Sequence, residues 1–257
     1  SDDEGLGGEK TGRPTSTAMR ATLIIALLCA ASLLSPCAQA QQSGADTNQL
    51  AILRAQAETG DAKAQFDLGM AFSLGMFGLA TNHVEAVKWL RKAANQNLAP
   101  AQYTLGNYYH DGLAVEKDYT EGVRWYRKAT EQNHAGAQYN LGVCYRDGQG
   151  VTKDSREAVN WFRKAADQNY APAQSNLGIC YEQGRSVATN YEQAVNWYRK
   201  AAEQNHAGAQ YHLGWCYGKG FGVQTNYAEA VKWYRKAAEQ NDPGGQNNLG
   251  FAYEHGL

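Results

Sequence analysis

The sequence lacks an excess of charge, a second long apolar run and any catalytic signature. Its 257 residues carry 24 Lys+Arg against 25 Asp+Glu. Residues 1–40 hold four of those acids (Asp2, Asp3, Glu4, Glu9) and three of the bases (Lys10, Arg13, Arg20), which leaves 21 of each in residues 41–257. A neutral body with no basic run lacks the electrostatic footprint of a nucleic-acid binder. No Ser-x-x-Lys occurs, so the apparatus of a serine β-lactamase or transpeptidase is missing. No His-x-His or His-Glu-x-x-His occurs either, and no motif calls for a cofactor or a metal. The whole chain is 43% hydrophobic and 11% aromatic, a globular rather than a disordered composition.

One hydrophobic stretch stands apart. Met19-Arg20 precedes the apolar run Ala21–Leu34, which is followed by Ser-Pro-Cys-Ala-Gln-Ala. A short basic start, an apolar core and a small-x-small ending at Ala40 form the pattern of a secretory signal peptide cut before Gln41. The run is shorter than the ~20 residues that span a bilayer. Cys37 offers a lipoprotein alternative, but Pro36 directly before it fits a lipoprotein cleavage site poorly. Residues 1–18 read as an upstream, non-native segment. The expected mature protein is soluble and periplasmic or secreted.

The body repeats with a period of 36: Trp89, Trp125, Trp161, Trp197 and Trp233 are evenly spaced, as are Cys144, Cys180 and Cys216. Gln102, Gln138, Gln174, Gln210 and Gln246 keep the same spacing, and Gln65 precedes them by 37 because the loop around Met76–Ala80 has one extra residue. A fixed period of this size marks a solenoid of stacked supersecondary units.

Each unit reads as two helices. In the third, Ala137, Leu141, Cys144 and Tyr145 form one apolar stripe, and Gly148-Gln149-Gly150 ends the helix. Asp154 with Glu157 three residues on has capping-box spacing and opens the second helix. Asn82/Glu85, Asp118/Glu121, Asn190/Gln193 and Asn226/Glu229 repeat that pair. Asn97, Asn133, Asn169, Asn205 and Asn241 mark the ends of the second helices, where a left-handed residue is needed. Pro100 and Pro172 suit first turns. Residues 46–58 read as a lone second helix capping the array, 61–257 as the array itself, with five full units and a truncated sixth. Gly245–His255 is a first helix with no second helix behind it, so the expectation is that the native chain continues past Leu257.

The unit Ala-Gln-Tyr-Asn-Leu-Gly-Val-Cys-Tyr-Arg-Asp-Gly-Gln-Gly-Val-Thr-Lys-Asp (137–154), followed by Glu-Ala-Val-Asn-Trp-Phe-Arg-Lys-Ala-Ala (157–166), closely resembles the Sel-one-like repeat (SLR) family, relatives of tetratricopeptide repeats. The resemblance covers roughly residues 50–257 and implies an all-α fold: a right-handed α/α superhelical solenoid serving as an interaction scaffold. Exported bacterial members of that family act as signalling regulators, envelope-assembly scaffolds and host-interaction factors, and some cysteine-rich members are described as binding β-lactams. This chain departs from the cysteine-rich subgroup, because the bridging positions there correspond here to Ala166 and Ala173, or Ala202 and Ala209. Its three array cysteines lie instead on the first-helix core stripe. Equivalent positions in neighbouring units should be ~10 Å apart, beyond the ~7 Å Cα separation a disulfide tolerates. Free buried thiols are expected.

The remaining chemistry reads mostly as packing. The six histidines are scattered, and His134 and His206 fall in equivalent inter-helix turns, where solvation is expected. The cysteines read as small buried hydrophobes rather than nucleophiles. The Trp column borders the apolar face of the second helices and reads as packing against the neighbouring unit, with glycan stacking as the alternative.

Differences between units carry more information. Two and six residues after the second Ala (or Gly245) of each first helix, the side chains are Phe66/Met70, Tyr103/Asn107, Tyr139/Val143, Ser175/Ile179, Tyr211/Trp215 and Asn247/Phe251. They point away from the core stripe, and first helices line the concave surface in related solenoids. An apolar, aromatic face there marks a protein-binding surface. Tyr103, Asn107, Tyr139, Val143, Ile179, Tyr211, Trp215 and Phe251 are the candidate contacts, with Trp215 and Phe251 as anchors by the hot-spot bias towards large aromatics. The expected function is a non-catalytic, exported scaffold with a protein or peptide partner. A cell-envelope glycan or β-lactam binder, even a weak β-lactamase-like hydrolase, is the alternative.

Overall fold

The computed structural model describes residues 36–256, so segment 1–18 and most of the leader 19–40 lie outside the described residues. Among the described residues there are twelve helices and no strand. We number them α1 (Pro36–Glu58), α2 (Ala62–Leu74), α3 (His83–Asn95), α4 (Ala99–Asp111), α5 (Tyr119–Glu131), α6 (Ala135–Asp147), α7 (Ser155–Asp167), α8 (Ala171–Gln183), α9 (Tyr191–Glu203), α10 (Ala207–Lys219), α11 (Tyr227–Glu239) and α12 (Pro243–Glu254). The chain divides into two compact units, Ser1–Ile52 and Leu53–Leu257. Of the first, the described part is the N-terminal portion of α1. That helix starts at Pro36 rather than at the expected Asp46. Proline fits a first turn, and the Ala- and Gln-rich residues that follow propagate a helix well.

The second unit is the repeat array, an α/α solenoid. Each second helix opens on the residue its sequence announced: Asn82, Asp118, Asp154, Asn190 and Asn226 accept backbone N–H bonds from Glu85, Glu121, Glu157, Gln193 and Glu229. Asn97, Asn133, Asn169, Asn205 and Asn241 all have φ between 60° and 64°, the left-handed region. The helices proper stop two residues earlier, at Asn95, Glu131, Asp167, Glu203 and Glu239.

The core is a series of layers rather than one mass. Each layer joins the second helix of one unit to the first helix of the next, as Val123, Tyr126 and Ala129 join Ala137, Leu141 and Cys144. Leu68, Leu105, Leu141, Leu177 and Leu213 are fully buried. Within a unit the two helices meet through glycine: a Cβ on Gly178 would lie 2.6 Å from Cε1 of Tyr198, and Gly106, Gly142 and Gly214 face Tyr126, Phe162 and Tyr234 in the same way. Cys144, Cys180 and Cys216 are buried thiols not joined in disulfides. The matching residues Ala71, Tyr108 and Ala252 of other units are buried as well, so the position asks for packing rather than for sulfur.

A ladder of amides ties unit to unit. Nε2 of Gln96, Gln132, Gln168, Gln204 and Gln240 donates to Oε1 of Gln65, Gln102, Gln138, Gln174 and Gln210 at 2.6–2.9 Å. Gln102, Gln138, Gln174 and Gln210 in turn donate to the left-handed asparagines. Five of the repeating glutamines are therefore buried yet paired, as a buried polar group requires.

Candidate functional site

The face of the first helices carries the variation, and the structure sorts the eight candidate residues into three kinds. Tyr103, Tyr139 and Tyr211 are half-buried and serve the junctions. Tyr103 stacks on His134, the residue that opens the next first helix, at 4.7 Å between ring centroids, and Tyr139 lies 5.5 Å from Tyr170, which holds the equivalent place before α8, and 5.8 Å from Phe162. Tyr211 lies 6.3 Å from Tyr234 and rests over Gly244 of the next unit. Asn107 is a hub: its Oδ1 accepts from the Tyr126 hydroxyl and from Asn140 Nδ2, both at 2.8 Å.

Val143 departs from the expectation. It is 4% exposed and belongs to the core layer with Val159 and Phe162, so it offers no surface to a partner. Ser175 is buried in the same way. The bulk of the facing second helices reaches further over this face than a wheel drawn for one isolated helix implies. Ile179 and Trp215 are half-buried against the next layer, that of Val195, Tyr198 and Leu213, and the Trp215 ring lies 4.9 Å from Phe221. Phe251 alone of the eight is freely exposed, at 55%, with His255 stacked on it.

The same face continues through residues that the sequence reading passed over. Nine residues after the second Ala lie Arg146 and Glu182, only about 20° round the helix from Tyr139 and Ser175. Three residues after it lie Asn140, Asn176 and His212. The two sets meet across junctions. Arg146 Nη1 donates to Asn176 Oδ1 at 3.1 Å while its Nε and Nη2 hold Asp147 at 2.8 Å, and this pairing raises the guanidinium pKa. At the next junction Glu182 Oε2 accepts from the Tyr198 hydroxyl at 2.7 Å and sits 3.7 Å from His212 Nδ1. His212 stacks on Tyr198 at 4.9 Å, 7° from parallel. Desolvation pushes Glu182 up against the opposing effect of the Tyr198 bond. Burial pushes His212 down to about 4, so its imidazole is neutral near pH 7. Burial also lifts the thiols of Cys180 and Cys216, the latter to about 12, which keeps them protonated and unreactive. The available signal was a change of chemistry at one register, from His110 to Arg146 to Glu182 to Gly218.

Two histidines have a role other than the expected solvated turn. Nδ1 of His134 and of His206 accepts the backbone N–H of Ala137 and of Ala209 at 3.1 Å, capping α6 and α10 where Asp61 and Asp242 cap α2 and α12. Both rings are half-buried, and desolvation lowers both pKa values. Histidine serves here because its neutral ring offers one acceptor nitrogen.

The Trp column is packing. Trp125, Trp161, Trp197 and Trp233 each close the layer shared with the preceding unit. Each tryptophan of the column also has a lysine three residues on lying over its ring, from Lys92 on Trp89 at 4.0 Å to Lys236 on Trp233 at 4.4 Å. The indole N–H groups of Trp125 and Trp161 are buried without an acceptor. Among the described residues no group of three or more His, Cys, Asp or Glu is placed to hold a metal, and no helix is long and apolar enough to cross a membrane.

The Sel1 repeat profile matches residues 62–98, 99–134, 135–170, 171–206, 207–242 and 243–257. A protective antigen of uropathogenic Escherichia coli with an SLR fold is similar at 41% identity and a TM-score of 0.74, over 81% of this chain and 44% of that one. The present chain thus spans less than half of that antigen's length. A Sel1 repeat protein from Oxalobacter formigenes is similar at 34% identity and a TM-score of 0.72, over 77% of this chain and 78% of its own. A putative sel1 repeat protein of Klebsiella pneumoniae, at 21% identity and a TM-score of 0.52 over 78% of this chain and 97% of its own, shares the fold. No curated protein sequence matches the chain.

Proposed function

The chain belongs to the Sel1 repeat family, whose repeats form non-catalytic scaffolds for protein interaction, and on that premise we propose that it is an exported bacterial adaptor. It holds a protein or peptide partner of the cell envelope against a concave groove lined by its first helices. The observation that carries this reading is the contrast within each repeat. Caps, leucines, glutamines and tryptophans recur unit after unit, whereas the first-helix face changes from Asn107 to Ile179 to Trp215 to Phe251. A spacer would have no use for that variety. Binding here is preorganised complementarity on a rigid stack, which spares the entropy of ordering a loop. The export part of this reading is supported by the sequence pattern of Met19–Ala40, which is that of a secretory leader.

The test is a crosslinking capture from envelope extract with the wild-type chain beside a Trp215→Ala, Phe251→Ala double variant. The expected result is a partner enriched by the wild type and lost by a variant that keeps its helical circular dichroism. Equal capture by both removes the first-helix face from the interaction.

A further inference from the structure

The junctions of the array treat the hydroxyl at the second-helix aromatic in different ways. In unit 2 (99–134) Tyr126 donates to a neutral amide, Asn107, which also takes Asn140. In unit 3 (135–170) the aromatic is Phe162, and the nearby Arg146 is neutralised by Asp147. In unit 4 (171–206) Tyr198 donates to a carboxylate, Glu182, whose side chain is 13% exposed.

No lysine or arginine lies within ion-pair distance of Glu182 among the described residues. The nearest cationic candidate is His212 at 3.7 Å, which burial keeps neutral. A largely desolvated carboxylate with one neutral donor is costly, and a cation is the ligand that relieves that cost. The flanks supply the rest of a site. Ile179 precedes Glu182 by three residues on α8, and Trp215 follows His212 by three on α10, so each pair shares a side of its helix. Both Ile179 and Trp215 are half-buried against the same core layer, leaving part of each apolar surface open.

We propose that Glu182, supported by Tyr198 and His212 and flanked by Ile179 and Trp215, receives a lysine or arginine side chain of the protein partner. The aliphatic stem lies along Ile179 and Trp215, and the charged head meets the carboxylate. This rests on the adaptor reading above and adds the chemistry of the residue the partner must present.

The experiment is an NMR titration of the full chain, following the Trp215 indole N–H, which Trp215→Phe assigns. The probes are ethylguanidinium chloride for arginine and n-butylammonium chloride for lysine, with n-butanol and sodium chloride at equal concentrations as controls. The expected result is a saturable shift with at least one cation, absent with both controls and lost in Glu182→Gln. The tighter of the two cations assigns the partner side chain. Glutamine keeps the size of Glu182 and an acceptor for Tyr198, and if that variant unfolds, the contrast between cation and butanol on the wild type decides alone. No saturable shift with either cation, or the same shift in a folded Glu182→Gln chain, overturns the proposal. A chain that captures its partner but binds neither cation loses this site and keeps the adaptor reading; cation binding without a captured partner does the reverse.

Discussion

Each junction between units has two edges that behave differently. Along one runs the glutamine ladder, in which Gln132 on Gln102, Gln168 on Gln138 and Gln204 on Gln174 repeat the same bond. Along the other, Asn107 meets Asn140, Arg146 meets Asn176 and Glu182 meets His212. The first edge is uniform because stacking leaves each buried amide one geometry in which its donors and acceptor are met. The second edge is closed by a different pair of side chains at each junction, so stacking imposes no single chemistry there and the residues are free to differ. Uniformity therefore reports what stacking demands, and variety reports what stacking does not use.

That contrast can be broken from the uniform side first. Leu177→Ala, in a fully buried position, should lower stability by about 2–5 kcal/mol in urea unfolding. Gln174→Leu removes the acceptor of Gln204 and the donor to Asn169 and Ala166, and about 1–3 kcal/mol should be lost. A loss as small as that of a surface substitution would show that the ladder is decorative.

The capping histidines give a smaller, pH-dependent effect. Their pKa values are lower in the folded chain than in the unfolded one, so the unfolded state binds more protons in the window between the two values. Stability is then full above the unfolded value of about 6.5 and falls as pH drops towards the folded values. His212 acts in the same sense and Glu182, pushed upward, in the opposite one. Replacing His134 and His206 with Asn keeps an acceptor that does not titrate there. The double variant should show a flatter decline of thermal midpoint below about pH 6.5 than the wild type, which calorimetry across that range would measure. An unchanged slope would remove the caps as its cause.

The smallest effect is expected on the variable side. Phe251→Ala, at 55% exposure, should change stability by no more than about 0.5 kcal/mol in thermal unfolding. A larger loss would mean that Phe251 is structural.

The same division explains how far the sequence could be read. The period, the second-helix caps, the left-handed asparagines and the tryptophan packing were all legible, because each rests on a local rule repeated five times. The binding face was only partly legible. A wheel places a residue around its own helix but says nothing of the neighbouring helix that covers it, which is why Val143 turns out to be core. Arg146 and Glu182 lie on the same side as Tyr139 and Ser175, two turns later, but their partners Asn176 and His212 come from the next unit, a contact that no single helix shows. His134 and His206 looked solvated because a cap between two stacked first helices is a tertiary environment.

The three buried thiols give the array a set of internal timers. Cys144, Cys180 and Cys216 each sit in a different unit, and none is available to a reagent while its layer is closed. The alkylation rate of each thiol under native conditions is thus a measure of how often that one unit opens. In a linear stack, openings that start at an end and travel inward would ring these timers in sequence, and openings that start anywhere would ring them independently.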